Sequence, residues 1–309
     1  GPGTASSAGG RAGDAVFSGL SLAAGILIFA VLAAVALFLL LQALPTFTAP
    51  AAEITGGAGF FSYIGPLVVG TLIASVIALL IATPVGILVA LYISHYAPAR
   101  ISTPVGYVID LLAAIPSVIY GAWGATVLAP ALVPLYTWLS EHAGFIPFFT
   151  GPASQTGKTM LTAGIVLAIM ILPIITSMSR EIFSQTPKLH EEAALALGAT
   201  RWEMIRMSVL PFARPGIVSS IMLGLGRALG ETMAVAMVLS ATNVVTLQLL
   251  TSQNPSTIAA NIALTFPEAY ALNINVLIAT GLILFVVTFA VNAVARWIVS
   301  RRKEFSGAN

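Results

Sequence analysis

Six runs of this 309-residue chain are apolar enough, and long enough, to cross a lipid bilayer. About 20 predominantly apolar residues span a hydrocarbon core as one helix. The runs cover approximately residues 20–44, 66–92, 104–131, 160–177, 216–240 and 275–299. Proline interrupts several of them, as at Thr83-Pro84 and Ile115-Pro116, and such breaks are tolerated where neighbouring helices re-satisfy the freed backbone. Composition agrees: 58% of the residues are hydrophobic and 8% charged, with a mean hydropathy of +0.99. A water-soluble domain needs roughly a quarter of its residues charged. The expectation is an all-α integral membrane protein with one transmembrane domain over residues 20–303. Residues 1–19 and 304–309 are expected as tails. Gly1 to Gly13, small and polar, read as a cloning remnant and a disordered segment, not a targeting signal.

Lysine and arginine placement orients the spans. With the first end in the cytoplasm, eleven of the 13 basic residues fall on that side: Arg11, Arg100, Arg180, Lys188, Arg201, Arg206, Arg214, Arg296, Arg301, Arg302 and Lys303. Lys158 alone falls opposite, and Arg227 lies inside a span. Both ends therefore belong in the cytoplasm, and residues 45–65, 132–159 and 241–273 outside. Residues 256–271 could form a short interfacial helix.

Several function classes drop out. The chain has no cysteine, hence no disulfide or thiolate chemistry. No basic run is long enough for nucleic acid. His95, His142 and His190 lack metal-ligand spacing and read as surface residues. No nucleophile–base pair is aligned. Gly157-Lys158-Thr159 looks like the end of a phosphate-binding loop, but Pro152 stands where that loop requires glycine. Asp110 should pair with Arg100 or Arg180. Trp138 and Trp297 fit interfacial anchoring.

The polar segment 184–215 is specified in detail. Thr186-Pro187 reads as an N-cap followed by proline in the first helical position. Glu191 and Glu192 suit the N-terminal end of the dipole. Gly198 reads as a left-handed cap. Thr200 and Glu203 then form a capping box opening a second helix, which should end at Leu210-Pro211. Small Ala193, Ala194 and Ala196 beside Leu195 and Leu197 allow close approach of another backbone. Such a pair either lies flat on its own bundle or docks into a cytoplasmic partner.

Arg227 and Glu231 occupy the fifth span. Arg227 should lie about 16 Å along that helix from Gly216, near the middle of a core about 30 Å thick. A charge there costs roughly 2.5–3.5 kcal/mol on insertion scales, so it marks a pathway or a structural ion pair. The i, i+4 spacing would let the two groups pair. Gly224, Gly226 and Gly230 would let a second helix pack closely, placing Arg227 near a helix–helix seam. A guanidinium at such a seam suits an anion, offering planar, multidentate hydrogen bonds.

Glu192-Ala193-Ala194, Gly198 and Leu210-Pro211 resemble the EAA loop of importers of the ATP-binding-cassette class, with Ser208 where that family often has isoleucine. In the third span, Leu111-Leu112-Ala113-Ala114-Ile115-Pro116-Ser117-Val118-Ile119-Tyr120-Gly121 is similar to the C-type permeases of the Pst phosphate-importer family, as are residues 223–232. The likeness covers most of the chain from the second span onward. It implies a type I importer permease fold with a cytoplasmic coupling helix. Glu192, Ala193, Ala194, Leu195, Leu197 and Gly198 would then engage an ATPase. It also implies a functional requirement for Arg227 and Glu231, with Ser117 and Tyr120 as added hydroxyl contacts. The implied partners are a second permease, packed across Gly224, Gly226 and Gly230, a dimeric ATP-binding subunit and an extracytoplasmic phosphate-binding protein. ATP and Mg would be held by the ATPase and no cofactor by this chain, which would lie in a bacterial plasma (inner) membrane. An ion-gradient anion carrier or channel, and a non-transporting scaffold or sensing subunit, stay open as alternatives.

Overall fold

The computed structural model describes residues 7–54 and 56–303. Among these, six helices are long and apolar enough to span a membrane: Val16–Thr48, Phe60–Tyr96, Ser117–His142, Met160–Ser184, Arg201–Leu229 and Leu272–Trp297. Helix α6 (Met160–Ser184) is the central element, packed most extensively against α2 (Phe60–Leu91) and then α9 (Leu210–Leu229). Its start is fixed by Thr159, whose hydroxyl accepts the Thr162 amide at 3.2 Å.

The reason α2 and α6 approach so closely is written in α2. Gly70, Ala74, Ala78, Ala82, Gly86 and Ala90 recur every fourth residue, and all are buried. They form a stripe of small side chains that winds slowly around α2, facing the backbone of Pro255 and Ser256 at Gly70 and α6 from Ala74 to Gly86, the arrangement by which helices without a hydrophobic drive between them gain van der Waals contact. Ile175 of α6 fills the space over Gly86, and Ile77 of α2 that over Gly164 of α6. Helix α1 (Ser7–Thr48) packs chiefly on α12 (Leu272–Lys303). The strongly apolar window of α1 is otherwise exposed, a surface for lipid or another subunit.

The first helix begins at Ser7, so residues 7–19, expected as disordered tail, are helical; residues 1–6 and 304–309 lie outside the described residues. The third expected span, 104–131, is two elements. Helix α3 (Ala99–Ala113) ends before Ile115-Pro116, because proline disfavours helical backbone in the residue before it. A new helix starts at α4 (Ser117–Trp123) and continues through a π turn, Gly124–Leu128, into α5 (Ala129–His142). Part of the expected outer loop is therefore helical. Helix α3 buries Gly106 and Ile109 and lies against α6. There Asp110 accepts hydrogen bonds from Ser177 (2.7 Å) and Arg180 (3.3 Å), so the Arg180 alternative is the one realised.

The fifth span is shifted as well. Helix α8 (Arg201–Met204) runs through a π turn, Ile205–Val209, directly into α9, so Leu210-Pro211 does not end the helix. The π turn changes the hydrogen-bond register immediately before Pro211, which has no amide proton to donate. The interruption comes instead at Gly230–Thr232, followed by α10 (Met233–Val238). Helix α11 (Ile258–Thr265) was expected as interfacial but buries Ile258, Ala259 and Ala260 against its neighbours. Its first amide, Ile258 N–H, donates to Thr71 Oγ1 at 2.9 Å, and Asn261 Oδ1 accepts the Tyr63 hydroxyl at 2.7 Å. Strand β1 (Ala241–Thr242) pairs in parallel with β2 (Asn254–Pro255), closing the loop between α10 and α11.

Candidate functional site

Two broken spans meet at one place. Helices α4 and α10 each begin just after an interruption, and they pack on each other. Gly121 of α4 makes this possible, since a Cβ there would lie 2.8 Å from the Ala234 Cα. Tyr120, Ala228, Ala234 and Val235 share one buried cluster with α6 residues such as Val166 and Ile171. The interruptions leave backbone groups that an unbroken helix would pair internally, which inside a membrane is tolerated only in a protein interior or along a cavity.

Arg227 sits in the last turn of α9, where a cation complements the dipole. Its side chain is exposed on the surface of this single chain, and among the described residues no carboxylate stands within 4.0 Å of it. Glu231 lies beyond the helix end and is buried at 8% exposure. One carboxylate oxygen accepts the Ala234 amide at 3.1 Å, capping α10. The expected i, i+4 ion pair is thus absent. Helical spacing applies only while the helix lasts, and α9 stops at Leu229. The result is an open guanidinium beside a carboxylate committed to backbone.

The hydroxyl residues divide. Ser117, in the first turn of α4, is half-buried and has no hydrogen-bond partner among the described residues. Tyr120 donates its proton to the Leu112 carbonyl at 2.9 Å, bridging the break between α3 and α4. That bond commits its proton to the backbone and holds the bend closed. The glycines divide too. Gly226 and Gly230 are exposed, whereas Gly224 is buried against Ile175 and Ile171 of α6. Gly224 consequently serves packing inside this chain and is not available to a seam with another subunit.

Helix α7 (Lys188–Ala196), the first helix of the polar segment, has no buried residue. Leu189 and Leu197 are 77% and 90% exposed, and Glu192, Ala193, Leu195 and Gly198 are exposed as well. Ala194 is the half-buried exception, packed on a cluster with Phe183, Met204 and Ile205. A helix lying flat on its own bundle would bury its leucines; this one presents Leu189 and Leu197 outward, while Leu195 borders the space between α7 and the bundle. Its end follows expectation: Gly198 has φ +87°, and the Gly198 and Ala199 amides return to the Leu195 and Ala194 carbonyls at 3.0 and 3.2 Å. Thr200 and Glu203 form the full capping box. The start differs. Pro187 is the N-cap, and Thr186 Oγ1 is buried without a hydrogen-bond partner.

One residue set aside on sequence grounds belongs here. His95, in the π turn Tyr92–Tyr96 that ends the second span, is 8% exposed in its side chain. Its Nε2 lies 3.7 Å from Glu191 of α7, and its ring meets Phe183 edge-on. The periodic signal that would have revealed it is absent, because a π turn shifts the facing of residues by a fraction of a turn.

Comparison with known proteins places these features. Residues 82–304 match the family model described as binding-protein-dependent transport system inner membrane component. The chain is 44% identical over 300 residues to a phosphate transport system permease protein PstC 2 of Mycobacterium tuberculosis, covering 93% of this chain and 92% of that protein. It is 40% identical over 306 residues to the phosphate transport system permease protein PstC of Mesorhizobium japonicum, covering 96% and 92%. In fold it is similar to a chain from the crystal structure of a bacterial ABC transporter involved in the import of the acidic polysaccharide alginate. That similarity has a TM-score of 0.52 at 20% identity, over 94% of this chain and 99% of that one.

Proposed function

Since this chain belongs to the binding-protein-dependent transport permeases, with the type I importer fold and PstC proteins as its relatives, we propose that it carries phosphate across the membrane as one half of an ATP-driven pathway. The observation that carries the reading is Arg227, an exposed guanidinium with no carboxylate within 4.0 Å among the described residues, next to the contact between two broken spans. Arginine cannot discharge by losing its proton, and its planar fork matches the oxygens of a tetrahedral anion. An unpaired cation on a span is costly toward lipid, so the face that carries it belongs against a second permease, with the anion between them.

Energy enters through α7. Its exposed Leu189, Leu195 and Leu197, with Ala193 between, offer an apolar ridge of small and large side chains to a groove on a separate ATPase. That subunit would bind ATP and Mg. An extracytoplasmic binding protein would deliver phosphate from the opposite side. The chain would sit in a plasma membrane with both ends cytoplasmic, as the placement of lysine and arginine implies. The gradient-driven carrier explains Arg227 but leaves the exposed leucines of α7 without a partner, and PstC relatives at 40–46% identity favour the ATP-driven reading.

The test is ATP-dependent uptake of labelled phosphate into vesicles by assembled wild-type and Arg227→Ala complexes, with competing oxyanions. Loss of uptake in an intact Arg227→Ala complex is the expected result. Normal uptake by that variant, or full activity of the lone chain without an ATPase, would sink the proposal.

A further inference from the structure

Helix α7 is held to the second span by very little. Cavities of about 330 and 240 Å³ lie between it and the end of the second span, and Ser94, His95 and Glu191 line both. Lys188 and Glu192 of α7 border the larger, and Arg201 of α8 the smaller. Toward the fifth span α7 packs on α8 and the following π turn, where the Ser208 hydroxyl donates to the His190 carbonyl at 3.3 Å, and Ala194 joins an apolar cluster; across the gap to the second span, His95 faces Glu191.

His95 is seated from both sides. Ser94 donates its single hydroxyl proton to the Ala90 carbonyl at 2.7 Å, so its oxygen is the acceptor for His95 Nδ1 at 2.9 Å. Nε2 then points at the Glu191 carboxylate, 3.7 Å away, closer than any other carboxylate among the described residues. Phe183 closes one edge of the ring. The imidazole is thus anchored to α2 by backbone and hydroxyl groups, and its free end reaches the helix that meets the ATPase. With Nδ1–H given to Ser94, a proton on Nε2 makes the ring an imidazolium, and in that form the 3.7 Å separation, longer than a hydrogen bond, is an electrostatic contact that a small movement of either helix would tighten.

We infer that His95 is a positioning residue, tying the inner end of the second span to Glu191 so that movement of α7 is passed to that span and not lost in the gap. The transport consequence rests on the reading of α7 given above, whereas the mechanical link does not. The absence of cysteine from the chain makes the link directly measurable. A spin label at Leu189→Cys, on the full chain in lipid nanodiscs, reports how firmly α7 is held. His95→Ala should raise label mobility, and so should Glu191→Ala. The double variant should be no more mobile than either single one, because residues in contact are not additive.

In the assembled complex, His95→Ala should lower phosphate carried per ATP hydrolysed by at least about twofold. His95→Gln, whose amide reaches the Nε2 position, should recover most of that. His95→Asn, which keeps the Ser94 contact but cannot reach Glu191, should not. These two variants preserve polarity at the site if alanine impairs folding. Unchanged label mobility in His95→Ala, additive effects in the double variant, or equal recovery by Asn and Gln would each overturn the assignment. A wild-type complex that carries no phosphate would instead strike the proposed function, and the label measurement would still decide on His95.

Discussion

Glu231 accepts the Ala234 amide at 3.1 Å across the bend that separates α9 from α10. That bond gives the carboxylate a structural task distinct from any electrostatic one, because a neutral acceptor could perform it equally well. The two tasks can be separated. Glu231→Gln should keep the cap and the unfolding temperature while removing the charge. Glu231→Ala should lose about 1 kcal/mol of stability, as loss of a side-chain acceptor for a first-turn amide does, although the N-cap position itself is Thr232. Thermal unfolding of the purified chain, alongside uptake by the complex, measures both. Equal destabilisation by Gln and Ala would remove the capping account.

Arg227→Lys isolates geometry from charge. Lysine preserves the cation but lacks the planar fork, and a hydrogen bond to a charged group is worth about 1.5–3 kcal/mol. Uptake should therefore fall roughly tenfold or more in a complex that still assembles. Wild-type rates with lysine would mean that charge alone is used at this position.

The contact of α4 with α10 should be sensitive to a single methyl group. In Gly121→Ala the new Cβ meets the Ala234 backbone at 2.8 Å, where a flexible side chain cannot simply swing aside. Overpacking of this kind costs about 1–3 kcal/mol. Gly226→Ala is the matched control, since nothing in this chain lies within 4 Å of its added Cβ. It should leave the isolated chain as stable as wild type and reveal, through reduced co-purification with a second permease, whether that face is covered in the complex.

Gly198→Ala should act on the coupling end. At φ +87° an L-residue pays about 1–2 kcal/mol, while the added methyl meets no other atom within 4 Å. The expected outcome is fraying of the last turn of α7, read as increased mobility of a label at Leu195→Cys, with ATP hydrolysis less tightly linked to uptake. A label as rigid as in the parent would show that the cap does not hold this helix.

Much of the architecture could be read from residue order because the bilayer imposes one-dimensional rules. Apolar length identifies a span. Local chemistry was equally transparent at Gly198, Thr200 and Glu203, where the partners lie within a few residues and no distant packing intervenes. The stripe from Gly70 to Ala90 is a strict four-residue repeat of small side chains, a signal that a reading by apolar length alone passes over.

Where helices stop inside a span is a different kind of fact. Pro116 and Gly230 are compatible with either a kink or a full break, and the choice depends on whether neighbours accept the freed backbone groups. Here Tyr120 bonds the Leu112 carbonyl and Glu231 bonds the Ala234 amide, so both breaks are complete and Arg227 loses the ion pair that its spacing promised. Likewise Gly224 and Gly226, two residues apart, differ only in which helix lies beside them, and His95 became informative only when a π turn brought it to Glu191. Residue order carried composition, the six spans as a number, and the caps at Gly198, Thr200 and Glu203, but not the start of α7 or the limits of the third and fifth spans. The destinations of Arg227, Glu231 and His95 came from contacts between segments far apart in the chain, whose energies no local window contains.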